Sequence, residues 1–170
     1  MKNIFLGLVL VLAFTSCDKQ AKIGFVDSGI LINEYQKKKD LETKFEKKEQ
    51  TLRKKFDSIE NAFQIEAQKF QVEANRMAQT TAQQKYEQLS QQRQAIDQQK
   101  QIEGQQFQQE FQIEIDTLII SVKKFVKEYG KKNGYTYILG TSDAAATVLY
   151  GTKEHDLTRI ILDDLNECCR

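Results

Sequence analysis

Large apolar side chains recur at helical spacing through the first half of the long middle segment of the chain. Two rows repeat every seven positions: Phe45, Leu52 and Ile59, and then Phe56, Phe63, Phe70 and Met77. The two rows lie three or four residues apart, as expected of one helix face that packs against a partner helix. Lys, Glu, Gln and Asp fill the positions between them and favour helix. The pattern therefore predicts a long amphipathic helix with an apolar seam.

The seam pattern stops after Met77, in the sequence Ala-Gln-Thr-Thr-Ala from Ala78. Thr81, with Gln84 three places later, predicts a capping box that satisfies the free amides at the start of a second helix. We therefore place the tip of a helical hairpin near residues 75–81.

The return helix begins polar and becomes apolar. Its first seam residues are Tyr86, Leu89 and Ile96, within a stretch that is mostly glutamine. Toward its end the seam thickens: Phe107, Phe111, Ile115, Leu118, Ile119, Val122, Phe125, Val126 and Tyr129. Gly130 predicts the helix end, with Lys131 and Lys132 beside the negative end of the helix dipole. Gly104 is either a bending point or neutral, and the sustained seam favours ordered helix with a mobile tip over a disordered glutamine tract.

Short apolar segments flank the hairpin. Lys22–Val26, Thr136–Leu139 and Thr147–Tyr150 have the β-branched and aromatic content of strands, and Ser142 and Asp143 begin a turn between the last two. Asp156 is placed to cap a short helix whose buried face holds Leu157, Ile160, Ile161 and Leu165. The fold class is thus α+β: a small β-sheet body from residues 17–32 and 131–170, with a helical hairpin arm over residues 33–130. Such a small body buries little core alone, so we expect it to oligomerise.

The first residues predict export. A basic start at Lys2, an apolar stretch from Ile4 to Phe14 and small residues before Cys17 form a signal peptide, residues 1–16. Cys17 then fits the acylated first residue of a lipoprotein, and the alternative is an ordinary cleaved signal followed by a chance cysteine. Cys168 and Cys169 allow a vicinal disulfide, a cross-link to another chain or a silent tail.

Composition argues against most kinds of chemistry. There is one histidine, His155, and the chain shows no phosphate-binding loop or nucleophile motif, so we expect no enzyme, cofactor, nucleotide or metal site. The near balance of 25 Lys and Arg against 24 Asp and Glu disfavours nucleic acid as a partner. Between Lys37 and Lys55, however, nine basic residues face four acidic ones. This run is either a solvated helix face or a contact for acidic polypeptide or anionic lipid.

The order of these parts resembles the Skp/OmpH family of periplasmic chaperones. The resemblance rests on Lys22–Asp27 (KIGFVD) and Tyr135–Gly140 (YTYILG), followed by Val148–Gly151 (VLYG) and Asp156–Asn166 (DLTRIILDDLN). It implies a homotrimer whose strands form a central β body, from which three arms surround a cavity. It also implies ATP-independent holding of unfolded outer-membrane and envelope proteins in the periplasm. The near-neutral charge and the predicted lipid anchor depart from what is common in the family.

If the arm holds clients, Phe63, Phe70, Met77 and Tyr86 near the tip are the candidate client contacts, with lysines as secondary attractors. The alternative for each aromatic residue is packing within the hairpin seam. The alternative for the whole protein is a structural coiled-coil lipoprotein that bridges or spaces envelope components and binds one folded partner.

Overall fold

The fold is a long helical hairpin on a small two-stranded sheet. The computed structural model describes residues 20–142 and 145–168. In chain order its elements are β1 (Ile23–Asp27), α1 (Ser28–Glu34), α2 (Gln36–Glu73), α3 (Gln79–Lys132), β2 (Tyr137–Thr141) and α4 (Thr158–Glu167). This architecture confirms the predicted α+β class with an antiparallel hairpin. We call α2 and α3 the arm, and the remaining elements the body.

The two strands are parallel, and the arm is the connection between them. Ile23 lies opposite Tyr137 and the register continues to Asp27 opposite Thr141. Parallel strands need a crossover, which is usually a single helix; here the whole hairpin leaves at the end of β1 and returns at the start of β2. The start of α4 is fixed to the free edge of β1, because Leu157 N donates to Phe25 O over 2.9 Å.

One apolar core joins the body to the root of the arm. Leu31, Tyr35 and Ile161 are its most buried large side chains. The core continues into the arm, where the ring of Phe45 meets Phe107 and Phe111 edge-on at centroid distances of 5.6 and 5.0 Å. Edge-to-face pairs of this kind add to the stabilisation from burial alone. The root of the arm is therefore scaffold.

A short helix precedes the arm and was not predicted. Asp27 Oδ1 accepts from Ile30 N over 2.9 Å and so caps α1. Tyr35 has extended backbone, with a ψ of 126°, and separates α1 from α2. The apolar residues of α1 are too few to show a helical period in the sequence, and Leu31 is held by the core.

The predicted capping box at the tip is wrong. The chain reverses through a 3₁₀ turn at Ala74–Arg76, and α3 begins at Gln79 after Ala78, whose backbone is extended and which makes no side-chain cap. Thr81 and Gln84 are exposed and lie inside the first turns of α3. The backbone geometry of Ala78 starts the helix before Thr81 is reached.

The predicted helix end at Gly130 is also wrong. Gly130 is buried within α3, where a Cβ would lie 3.2 Å from Ile138 Cδ1. The helix ends instead at Gly134, whose φ is +71°. Gly134 N donates to Lys131 O, and Tyr135 N donates to Gly130 O over 2.9 Å, which are the two hydrogen bonds of a Schellman motif. Gly130 thus serves close packing, and Gly134 serves chain reversal.

The third predicted strand and part of the last helix need correction. Within the described residues, Thr147–Tyr150 pairs with no strand, and Leu149 and Tyr150 are 90% and 86% exposed. In α4 the buried face contains Leu162 rather than Ile160, which is 51% exposed. Asp156 lies one residue before the N-cap position, Leu157, and its Oδ1 accepts from Thr158 N over 2.9 Å.

Candidate functional site

The arm beyond Phe45 is the candidate functional surface. Its helices contain 38 and 54 residues, which correspond to lengths of about 57 and 81 Å. The described core reaches no further along α2 than Phe45. From there to Glu73, about 42 Å of helix at 1.5 Å per residue packs only against the other half of the arm. A surface of this kind is available to a partner along its whole length.

Five ion pairs cross the arm from one helix to the other. Their partners are Lys44 with Glu114, Lys48 with Glu110, Lys55 with Glu103, Glu60 with Lys100 and Glu66 with Lys85. The first three keep one antiparallel register, since four and then seven steps along α2 match four and seven steps back along α3. Lysines in coiled-coil flanking positions fix register and orientation in this way.

These ion pairs offset part of the positive charge of the segment Lys37–Lys55. Lys44, Lys48 and Lys55 are paired to glutamates of α3, so their charge is offset within the arm. Lys38 and Arg53 pair with Glu42 and Glu49 on α2 itself. Much of the local basic excess is therefore structural and contributes little attraction to an acidic partner.

The cross-arm lysines also perturb the carboxyl groups. The hydrogen bond from Lys100 is the main cause that lowers the pKa of Glu60, and the hydrogen bond from Lys85 does the same for Glu66. The hydrogen bond from Lys55, followed by that from Gln99, lowers the pKa of Glu103. All three carboxyls are partly exposed, and solvent screening keeps the contribution of each pair to stability modest.

Three of the four predicted contact residues are partly covered. Phe63 and Phe70 of α2 and Met77 of the tip are half-buried, and Arg93 lies over the ring of Phe63 at 6.0 Å from its centroid. Tyr86, by contrast, is 62% exposed. The structure therefore does not bring the four residues together as one open patch: Tyr86 is the member that a partner reaches directly.

A second set of apolar residues, which the sequence pattern did not lead us to expect, lies on the outside of the arm. Its members are 54% to 71% exposed: Ile65, Val72, Ile102, Ile113 and Ile120. Four of them stand two places after a seam residue, as Ile65 does after Phe63 and Ile113 after Phe111. Residues two apart on a helix point to nearly opposite sides. An apolar residue two positions after a seam residue could have been recognised in the sequence as outward-facing. It was overlooked because only the residues of the seam were considered.

The body carries its own exposed apolar surface. Ile23 and Tyr137 lie opposite each other in the sheet register and are 42% and 60% exposed, and Leu139 on the same face is 43% exposed. On the other face, a cavity of about 250 Å³ lies between the sheet and the arm root, lined among others by Val26, Leu31 and Ile138. With the exposed Leu149 and Tyr150, the body therefore has apolar surface that no other described residue covers.

The remaining sequence predictions are placed as follows. His155 is exposed, and its Nδ1 lies 2.8 Å from Thr152 Oγ1. Cys168 is an exposed free thiol, whereas the signal peptide, Cys17 and Cys169 lie outside the described residues. In residues 20–142 and 145–168 there is no cluster of three metal-binding side chains. None of the helices in that same part of the chain is apolar enough over a sufficient length to cross a membrane.

Comparison with known proteins agrees with this architecture. The family model for outer membrane protein (OmpH-like) matches residues 22–165. Among solved structures, a candidate OmpH-like outer membrane chaperone from Caulobacter crescentus CB15 matches with a TM-score of 0.78 and 12% sequence identity, over 87% of this chain and 85% of that one. No curated protein matches the sequence. At such low identity, the solved structure supports the fold alone.

Proposed function

The chain belongs to the OmpH-like family, and on that premise we propose that it is an ATP-independent holdase chaperone. Its clients are unfolded outer-membrane and envelope proteins, which it keeps from aggregating in the periplasm. The observation that carries the proposal is the arm beyond Phe45, a long surface that packs only on itself and exposes isolated apolar residues. Scattered apolar contacts suit weak binding of many sequences, because tight specificity needs precisely placed polar groups.

We further propose that three chains assemble through the body. A sheet of two strands with exposed Ile23 and Tyr137, beside the exposed segment Thr147–Tyr150, leaves apolar surface that a second copy would cover. Sheet edges left open in this way favour pairing with another chain. Three bodies joined about one axis would direct three arms around a shared cavity, in which an unfolded chain would be held.

The proposed place of action is the periplasmic side of a membrane. Residues 1–16 have the pattern of an export signal, and Cys17 follows directly as the proposed site of acylation. Each buried methylene of an acyl chain contributes about 0.8 kcal/mol to membrane binding, and two or more chains hold a protein firmly. Replacement of Cys17 by serine should therefore release the protein from the membrane fraction.

The test of the holdase proposal is suppression of aggregation. A denatured outer-membrane β-barrel protein is diluted from urea into buffer with a molar excess of the chaperone assembly and no nucleotide, and light scattering is followed. We expect scattering to fall to near the level of a sample without aggregation, and to be unchanged by added ATP.

Scattering equal to that of the barrel protein alone would contradict the proposal. In that case, capture of one folded envelope protein, with no unfolded ones, would instead support a structural coiled-coil lipoprotein. The matched control is a globular protein of similar size and charge, which should leave scattering unchanged.

A further inference from the structure

A continuous uncharged stripe runs along the outer side of the return helix α3. Gln84, Gln91, Gln98 and Gln105 recur every seven residues. The neighbouring row, four residues further on in each repeat, contains Ala95 and Ile102 between two more glutamines, Gln88 and Gln109. We call these two rows the glutamine stripe. All of its residues are exposed, and Gln91 and Gln98 each stand two places after a buried seam residue, Leu89 and Ile96.

The charges of this part of α3 are engaged elsewhere. Between Gln79 and Gln112 the helix has seven charged side chains, and six of them are in ion pairs. Four pair across the arm with α2, and Arg93 pairs with Asp97 over 2.9 Å. The seventh, Glu87, accepts from Gln83 Nε2 over 3.0 Å. The stripe is thus electrically neutral although 29% of the whole chain is charged.

The outer side of α2 is different. The helix exposes Lys47, Lys54 and Lys69 together with Glu46, Asp57 and Glu73, and none of these six has an ion pair among the described residues. The arm therefore presents two chemically distinct exposed surfaces, one on α2 with unpaired charges of both signs and an amide-rich, uncharged one on α3. A client would distinguish the two by its charge.

We propose that the glutamine stripe is the client-binding surface and that it takes uncharged, extended segments of amphipathic β-strand. This inference rests on the proposed holdase function and names the class of segment that is held. A glutamine amide offers two N–H donors and a carbonyl acceptor, which match the N–H and C=O groups of an extended backbone. Ile102 in the stripe, and Ile113 just beyond it, contact the apolar side of the same segment.

The same surface explains release without nucleotide. Gln side chains lose much rotamer freedom when they are fixed, and a hydrogen bond exchanged with water gives only a small net gain. Each contact is therefore weak. Successive residues of one row lie about 10.5 Å apart along α3, and this regular repeat allows a client segment to bind in more than one register. Affinity comes from the number of contacts, and a folding client that withdraws its backbone groups leaves.

The first experiment measures the affinity of the full chain for a denatured outer-membrane β-barrel protein by fluorescence. The stripe variant carries Gln91→Glu, Gln98→Glu and Gln105→Glu, which add charge without loss of helix propensity. The matched control carries Gln50→Glu, Gln64→Glu and Gln68→Glu on exposed positions of α2. We expect about a tenfold weaker affinity for the stripe variant and less than about a twofold change for the control. Equal affinities would overturn the assignment of the stripe.

A second experiment uses peptides of twenty residues that alternate leucine with serine, or with aspartate or lysine in place of serine. The neutral peptide should bind most tightly, and added salt should change its affinity little, because no charges are neutralised. Tighter binding of the aspartate or the lysine peptide would place the contact on the charged side of α2 and overturn the proposal.

Failure of the holdase function and failure of the stripe assignment give different results. If the wild-type chain does not suppress aggregation of the denatured barrel protein, the holdase function is contradicted. If the wild type and the stripe variant suppress aggregation equally well, the function stands and only the stripe is excluded. Circular dichroism of both variants, which should match the wild type, excludes loss of the helices as the cause of any change.

Discussion

Two glycines, one inside α3 and one just after its end, have opposite roles, although nothing in the residue type distinguishes them. Gly104 lies in the middle of α3 with no atom within 4 Å of the place that a Cβ would take, whereas Gly134 ends the helix with a φ of +71°. An alanine is favoured in a helix interior and strained at positive φ.

We therefore expect Gly104→Ala to raise the free energy of unfolding by about 1 kcal/mol, and Gly134→Ala to lower it by about as much. The measurement is urea unfolding followed by circular dichroism, at one fixed protein concentration because an assembly adds its own stability. A loss of stability in Gly104→Ala would show that the glycine is needed for an approach or bend that the structure does not contain.

The adjacent isoleucines of α4 provide a second test at this scale. Ile161 is fully buried and Ile160 is 51% exposed. Ile161→Ala should cost about 2–5 kcal/mol through lost burial and the cavity left behind. Ile160→Ala, the matched control, should cost less than about 1 kcal/mol. A large loss for Ile160→Ala would indicate that another chain covers this residue in the assembly. Urea unfolding gives both values.

At the scale of elements, the arm is held in register by its ion pairs as well as by its seam. Lys55 and Glu103 are the best pair for a double-mutant cycle, because each lies seven residues from its counterpart in the Lys48–Glu110 pair. Lys55→Glu and Glu103→Lys alone should each lower stability, and the double exchange should recover most of the loss. The recovered part is expected to be about 0.2–1 kcal/mol. Complete additivity of the two single changes would contradict a direct interaction.

The same pairs predict how the arm responds to acid. Since Lys partners lower the pKa of Glu60, Glu66 and Glu103, their contribution is fully present above the ordinary carboxyl pKa and is lost as pH falls through the lowered values. The arm should therefore lose thermal stability below about pH 4.5. Melting curves of the wild type and of the Glu60→Gln, Glu66→Gln and Glu103→Gln variant check this, because the variant should depend less on pH in that range.

The arm and the approximate place of its tip were predictable from sequence, and the precise ends of its helices were not. Seven-residue repeats such as Phe56, Phe63 and Phe70 determine a hairpin wherever both helices must bury one seam. The tip and the C-terminal end depend instead on the backbone conformation of single residues, Ala78 and Gly134, which composition does not reveal. Outward-facing residues such as Ile113 could have been predicted from the same repeat, because they lie two positions after a seam residue. The neutrality of the stripe required knowledge of which charges pair across the arm.

At the scale of the whole molecule, the body is too small for the arm that it carries. The described sheet has two strands, while α3 alone has 54 residues. The segment Thr147–Tyr150 has the composition of a strand and lies unpaired in the single chain, with Leu149 and Tyr150 almost fully exposed. Sequence preference and structure agree if this segment finds its strand partner in another copy, because β-propensity expresses fit to a neighbouring strand more than an intrinsic preference.

We therefore expect Thr147–Tyr150 to hold the assembly together. Light scattering of the chain that carries Cys17→Ser as its only change, and therefore no acyl group, should give about three times the mass of the single chain. Leu149→Ser with Tyr150→Ser should reduce that mass toward one chain at low concentration, since the burial of two large side chains per subunit is lost.

The control, Ile113→Ser with Ile120→Ser, removes similar apolar area from the arm and should leave the mass unchanged. A stable assembly in the first variant would mean that the sheet face of Ile23 and Tyr137 suffices for the contact, and dissociation in the control would mean that the arms themselves associate.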